Sequence, residues 1–230
     1  MRLVPLALVL ALTASVHATA MAQESLVDEG TLVITRNGAP VGREAYRIVR
    51  AAGVGGQAYR ATATISFNAN RLTLRLTTDS AGAPLTYEVE VHVPGQSQVV
   101  SHVDGSGRPG RFSTLVRTVH GEAARDYVMG DHPLALDASA FDPYYFATLA
   151  PHPASFAAID PRAGTQATLR FEERGQESIR VGRSTVGARH YALVGGNGAT
   201  RDIWVDAQGH LLRVTIAAQG LVAQRDDLPR

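Results

Sequence analysis

Alternation of apolar and polar residues with a period of two constrains this chain more than any other feature. Residues 202–217 state it most clearly. Ile203 and Val205 point one way, and Asp202, Trp204 and Asp206 the other. After Asp206-Ala-Gln-Gly209, residues Leu212, Val214 and Ile216 alternate again with polar neighbours. A period of two is the signature of a half-buried strand. Asp and Gly are turn residues: the carboxylate bonds forward to the backbone, and glycine takes a left-handed conformation without steric cost. The stretch reads as one β-hairpin, and much of the chain repeats its pattern.

The first residues say where such a chain goes. Met1-Arg2, an apolar run over 3–16, and small residues through Ala18, Ala20 and Ala22 have the form of a secretory signal peptide. The run is roughly 14 residues, short of the ~20 that a spanning helix needs. Cleavage is expected after Ala22, with Ala20 as the alternative. No later segment is long or apolar enough to span a bilayer. The expected organisation is a signal peptide at 1–22 and a single antiparallel β-domain at 23–230, exported to the periplasm.

Composition narrows the partners. The 22 basic residues, less Arg2 in the leader, balance 21 acidic ones, so the mature chain is formally neutral. That argues against a nucleic-acid partner, which normally selects a basic excess. Every basic residue is arginine, which excludes Schiff-base lysines and P-loops. Cysteine is absent, so the exported domain must be held by packing rather than disulfides.

Alternation predicts strands over 31–35, 41–49, 59–67, 72–76, 87–93, 99–103, 112–119 and 126–129, then over 168–171, 177–181 and 189–194 before the hairpin at 202–217. Asn37-Gly38 is a strong hairpin turn. Residues 104–110, rich in Gly and Pro, read as a loop, and the charged tail from Gln224 as fraying. An internal echo is also present. Asp79-x-x-Gly82-x-x-Leu85-x-Tyr87-x-Val89 aligns without gaps on Asp206-x-x-Gly209-x-x-Leu212-x-Val214-x-Ile216. It fits either a duplicated meander or convergence on one turn chemistry.

Between the two β stretches lies an island at 137–160 with a different pattern. Phe141-Asp-Pro-Tyr-Tyr-Phe146 predicts a helix start, with Asp142 as cap and Pro143 at the first helical position. Pro151 and Pro153 stop it, and 155–159 reads as a further turn. The island carries Phe141, Tyr144, Tyr145, Phe146 and Phe156, five of the chain's 14 aromatic residues. The expected architecture is mostly β: a curved antiparallel sheet or open barrel of about ten strands, with this short helical insert as lid or plug.

The aromatic run at 141–146, the stretch from Gly182 to Tyr191, and Ile203-Trp-Val-Asp206 with Gly209-His-Leu-Leu212 resemble a family of exported bacterial proteins known only as a domain of unknown function. The opening turn with Gly38 and Gly42 fits the same family. The resemblance implies a fold like the Lol-type lipoprotein carriers, a curved sheet holding helices and acyl chains in its concave side. It implies no catalytic residues.

Gly105-Ser-Gly107-Arg-Pro-Gly110 has the letters of a dinucleotide fingerprint, but strands are expected on both sides, where a helix should follow. Ser184 misses the spacing of a nucleophile elbow. His92 and His102 face each other across an expected hairpin, yet two histidines without a third ligand make a poor zinc site, so no metal is expected and no cofactor either. Glu88 with Glu90, and Asp202 with Asp206, have same-face spacings of roughly 7 Å, which glycosidases use and which any solvated sheet face also shows. The leading expectation is a non-catalytic binder of an apolar or lipid-like ligand, lined by Phe141, Tyr144, Tyr145, Phe146, Phe156 and Trp204. A solid-core module for envelope assembly is the alternative, and a carbohydrate-active hydrolase the third reading.

Overall fold

The computed structural model describes residues 24–53 and 56–229; the expected leader at 1–22 lies outside the described residues. Among the described residues fifteen strands form one sheet. In chain order they are β1 (Ser25–Arg36), β2 (Ala39–Gly53), β3 (Gly56–Phe67), β4 (Asn70–Asp79), β5 (Pro84–His92), β6 (Ser101–Arg108), β7 (Arg111–Thr118) and β8 (Gly121–Val128). After the first eight come β9 (Pro133–Ala135), β10 (Ser155–Asp160), β11 (Thr165–Val181), β12 (Ser184–Gly195), β13 (Thr200–Val205), β14 (Leu211–Ile216) and β15 (Leu221–Arg225). A 3-10 helix, Asp142–Thr148, stands between β9 and β10 and is called the insert below.

The spatial order is β8 to β1, then β15 back to β9. Two meanders therefore run outward from a seam at which β1 pairs with β15, Leu32 opposite Arg225 through Arg36 opposite Leu221. All ladders are antiparallel except β9 with β10. The mostly β, largely antiparallel sheet is as expected, but it is open and not strongly curled, so neither the expected curved or open-barrel form nor the count of about ten strands holds. Its edges explain why closure is not needed. β9 is three residues long, and β8 exposes charged Glu122, Arg125 and Asp126 along its length; short, charged edges resist pairing with other chains. Side chains nevertheless link the two wings: Arg125 Nη1 donates to the Gly164 carbonyl at 3.1 Å and Gln166 Nε2 to that of Val128 at 2.8 Å.

The alternation is realised as expected in the long central strands. Ala61, Ala63 and Ile65 on β3, Leu72, Leu74 and Leu76 on β4, and Tyr87, Val89 and Val91 on β5 all face one side and join one core. The two echoing turns match bond for bond. Asp79 Oδ1 accepts from the amides of Ala81 and Ala83, each at 2.9 Å. Asp206 Oδ1 accepts from Gln208 and His210 at 2.9 and 2.8 Å. Gly82 and Gly209 supply the positive φ, 88° and 92°.

Three local expectations are corrected. Residues 104–108 are strand, with only Pro109-Gly110 turning. Their glycines serve close approach: a Cβ on Gly105 would lie 2.6 Å from the Phe112 ring, and one on Gly107 would lie 2.2 Å from the Pro84 carbonyl. The stretch at 155–159 is strand β10 rather than a turn, because it pairs on both sides, with β9 and β11. The tail does not fray from Gln224: β15 pairs with both β1 and β14, and Arg225 is buried.

Candidate functional site

The insert forms where Pro143 fixes a helical φ, but its cap differs from the expected one. Phe141 is the cap residue, and no side chain of the insert caps it. The cap comes instead from β2. Glu44 Oε2 accepts the Phe141 amide at 2.8 Å and Oε1 accepts the Asp142 amide at 2.6 Å. Glu44 and Asp142 are both completely buried. Among the described residues neither oxygen of Asp142 meets an N–H or hydroxyl donor, and the carboxyl it faces is that of Glu44.

Two facing carboxylates sealed from solvent cannot both ionise, so the pair holds a proton. Burial raises the Glu44 pKa well above the usual carboxylate range, and the neighbouring Asp142 charge adds to that. Burial pushes Asp142 up to about 7. A proton-sharing pair is the form of an acid–base dyad, but here it is closed off from solvent and occupied in fastening the insert.

Around it the aromatic residues singled out in the sequence come together. Phe141, Tyr144, Tyr145 and Phe146 are buried, and Tyr59 of β3 packs edge-on against Tyr145 and Phe146 at centroid distances of 6.3 and 5.9 Å. Phe156 on β10 joins the same core and meets Phe171 edge-on at 5.9 Å. Below β9 the insert's approach is tied by Asp137, which accepts from Tyr87 at 3.1 Å and from Arg162 Nε and Nη2 at 2.8 and 2.9 Å.

Trp204 is not part of this group. It lies on the opposite face in a small cluster with Ile179, Val181, Ala188 and Leu212. There it stacks on His190 at 4.3 Å, Arg213 covers its ring at 5.4 Å, and its indole N–H donates to Glu177. Asp202 bonds His190, and Asp206 is consumed by its turn and by His210.

One cleft opens beside the buried pair. It has a volume of about 380 Å³ and is lined by Leu26, Val27 and Leu228 at the rim and by Asp28, Tyr46 and Arg225 at its floor. The floor is built from three strands. β2 presents Glu44, Tyr46 and Ile48 on one face, so Tyr46 stands one step from the carboxyl pair. A bulge between Leu26 and Asp28 turns Asp28 inward from β1. β15 brings Arg225. Arg225 Nη1 donates to Asp28 Oδ1 at 2.8 Å, to the Tyr46 hydroxyl oxygen at 2.9 Å and to the Leu211 carbonyl at 3.2 Å. Asp28 Oδ2 accepts from Tyr46 and from the Leu211 amide, each at 2.8 Å. Burial, then the Asp28 charge, pushes the Tyr46 hydroxyl up, which keeps it a neutral donor. Arg225 Nε has no partner among the described residues. His210 stands on the same wall, its Nδ1 2.8 Å from Asp206.

Sequence reasoning missed Glu44, Asp28 and Arg225. A signal existed for Glu44: it occupies an inward position in the register of Tyr46 and Ile48. Nothing comparable marked Asp28, displaced by its bulge, or Arg225 in a charged tail.

Residues 118–224 match the model of a domain of unknown function, DUF6134. The matched span includes the insert, Phe156 and Trp204, whereas Asp28, Glu44, Tyr46 and Arg225 lie outside it. No curated protein and no solved structure matches the chain.

Proposed function

We propose that this chain is a periplasmic, non-catalytic binder of a small amphipathic molecule, held in the cleft floored by Asp28, Tyr46 and Arg225. The observation that carries the reading is the pairing, in one concavity, of a buried polar triad with an apolar rim. Small-molecule sites are typically clefts of 300–1,000 Å³ with a few fixed polar groups on an apolar wall, and this cleft is within that range. The triad is preorganised: each member is held by the others before any ligand arrives, so binding needs little ordering.

The lining favours a head group that donates hydrogen bonds or carries positive charge. Asp28, Glu29 and Asp227 supply three carboxylates against one guanidinium, Arg225, and Arg47 compensates only Glu29, at 2.7 Å. Leu26 and Leu228, both exposed, supply the surface for an alkyl or acyl tail. The export expected from the leader supports an envelope setting, where such amphiphiles are abundant. The insert's rings then form the core that holds β2 in place behind the cleft, rather than the ligand surface itself. A Lol-type carrier would instead hold its ligand among the insert's rings, which are buried, and would require the insert to move.

Titration with a fluorescent acyl-ammonium probe, beside an acyl-sulfonate of equal chain length, tests the reading. Saturable micromolar binding of the ammonium probe, at least tenfold tighter than the sulfonate and weakened by Leu26→Asp, is expected. Absence of binding by both probes, with no co-purified amphiphile in native mass spectrometry, overturns it.

A further inference from the structure

The outer face of β4 to β7 carries a second constellation, remote from the cleft. Ladder register sets it in two rows. Thr73, Glu90, His102 and Arg117 lie directly opposite one another in the first, and Arg75, Glu88 and Asp104 in the second. Val89, Val91 and Val103 point the other way into the core, so the strands are anchored and the outer side chains start from fixed positions.

Glu88, Glu90 and His102 converge so that one ligand atom from each lies within 4.8 Å of the others. The histidine's second nitrogen gives this convergence a chemical sense. His102 Nε2 is 3.0 Å from Asp104 Oδ1, and Asp104 is itself held by Arg117 Nη1 at 2.7 Å. A carboxylate accepts only from a protonated nitrogen, so Nε2 carries a proton toward Asp104, and the ring can ligate through Nδ1 in the tautomer that leaves the lone pair there. Nδ1 lies 3.8 Å from Glu90 Oε1, too far for a hydrogen bond. A carboxylate bonded to the remote nitrogen of a histidine, fixing its tautomer and raising its basicity, is the outer-shell arrangement of metal-ligating histidines.

We propose that Glu88, Glu90 and His102 bind a divalent transition-metal ion of the Zn²⁺ type, with Nδ1 of His102 as its nitrogen ligand and Asp104 as the positioning residue behind it. Two carboxylates balance the ion's charge, and one imidazole with two carboxylates selects a borderline metal over Mg²⁺ or Ca²⁺. Three protein ligands leave a position for water. His92, whose Nε2 lies 3.8 Å from Glu90 Oε2, is on the same strand face beside that position. Arg75 contacts only Oε2 of Glu88, at 3.2 Å, which leaves the other oxygen for the ion. Without a cation the three carboxylates Glu88, Glu90 and Asp104 face two guanidiniums, and Arg117 is shared with Glu122 at 3.0 Å.

Isothermal titration of the chelator-treated protein with Zn²⁺ tests the site. One equivalent at micromolar affinity is expected, weakened at least tenfold by Glu90→Gln and by His102→Gln. Asp104→Asn weakens it about 10–100-fold, the usual effect of removing such a support, and His132→Asn, on the exposed segment between β8 and β9, leaves it unchanged. Ring ¹⁵N spectra supply a readout that folding defects do not mimic: Zn²⁺ should move the His102 Nδ1 resonance while Nε2 stays protonated. No binding below millimolar Zn²⁺, equal binding by the Glu90 and His102 variants, or ligation through Nε2 would each overturn the proposal.

Discussion

The amide of Asp142 donates to Glu44 across 98 positions of sequence, at 2.6 Å, while the side chains of the same two residues face each other without solvent. One contact thus fastens the insert to β2 and stores a proton in the core. The stability of the fold is tied to the protonation of that pair.

The sign follows from the raised pKa values. Below about pH 4 the carboxyls of the unfolded chain are protonated too, and the pair costs the fold least. As pH rises from 4 through 7, the unfolded chain releases protons that the folded pair retains, so stability falls. Asp142→Asn replaces the shared proton with an amide donor that does not titrate. The variant should lose roughly 2–4 kcal/mol less stability than the parent between pH 4 and 8. Urea denaturation at both pH values measures the difference; parallel pH profiles would show that the pair does not hold the proton.

Glu44→Leu keeps the volume apolar but leaves the amides of Phe141 and Asp142 buried without an acceptor. Each such loss costs about 1–3 kcal/mol. The expected readout is faster hydrogen exchange over residues 141–146, ahead of any change in β3 or β4, together with a lower urea midpoint.

Asp28→Ala strands the Arg225 guanidinium in the core. Breaking a buried ion pair from one side costs about 3–5 kcal/mol. Tyr46→Phe removes one hydroxyl and leaves the pair intact, at about 1 kcal/mol. Equal destabilisation by the two variants in chemical denaturation would show that the charge pair is not the stabilising unit.

Gly107→Ala should lower the melting temperature by several degrees, because its Cβ meets the Pro84 carbonyl at 2.2 Å and backbone must move. Gly187→Ala has open space around its Cβ and should stay within about 0.5 kcal/mol of the parent. Differential scanning calorimetry of the two variants separates close approach from mere flexibility.

These contacts mark how far the sequence could be read. Alternation located β3, β4 and β5 because their inward residues are uniformly apolar. Asp79 and Asp206 announced their turns because the chemistry is local. The insert's position was legible from Phe141 to Phe146, but its cap was not, since the acceptor stands on a strand far back in the chain. Gly105 and Gly107 misled in the opposite sense: Gly suggests a loop when only its neighbours reveal that a side chain would not fit. The meeting of Glu90 with His102 is likewise a product of register, which one strand's pattern does not contain.

The ladder between β1 and β15 differs from all others in joining segments that are not consecutive in sequence. Apart from the parallel β9–β10 crossover that carries the insert, each meander closes only short hairpins and can nucleate by itself, whereas this ladder must bring together points almost 200 residues apart, at a larger entropic penalty. The kinetic consequence is a late docking step in which two preformed wings zip along Leu32 to Arg36. Until then each wing presents an unpaired central edge, so the folding intermediate, rather than the finished sheet, is the species that invites aggregation and chaperone capture.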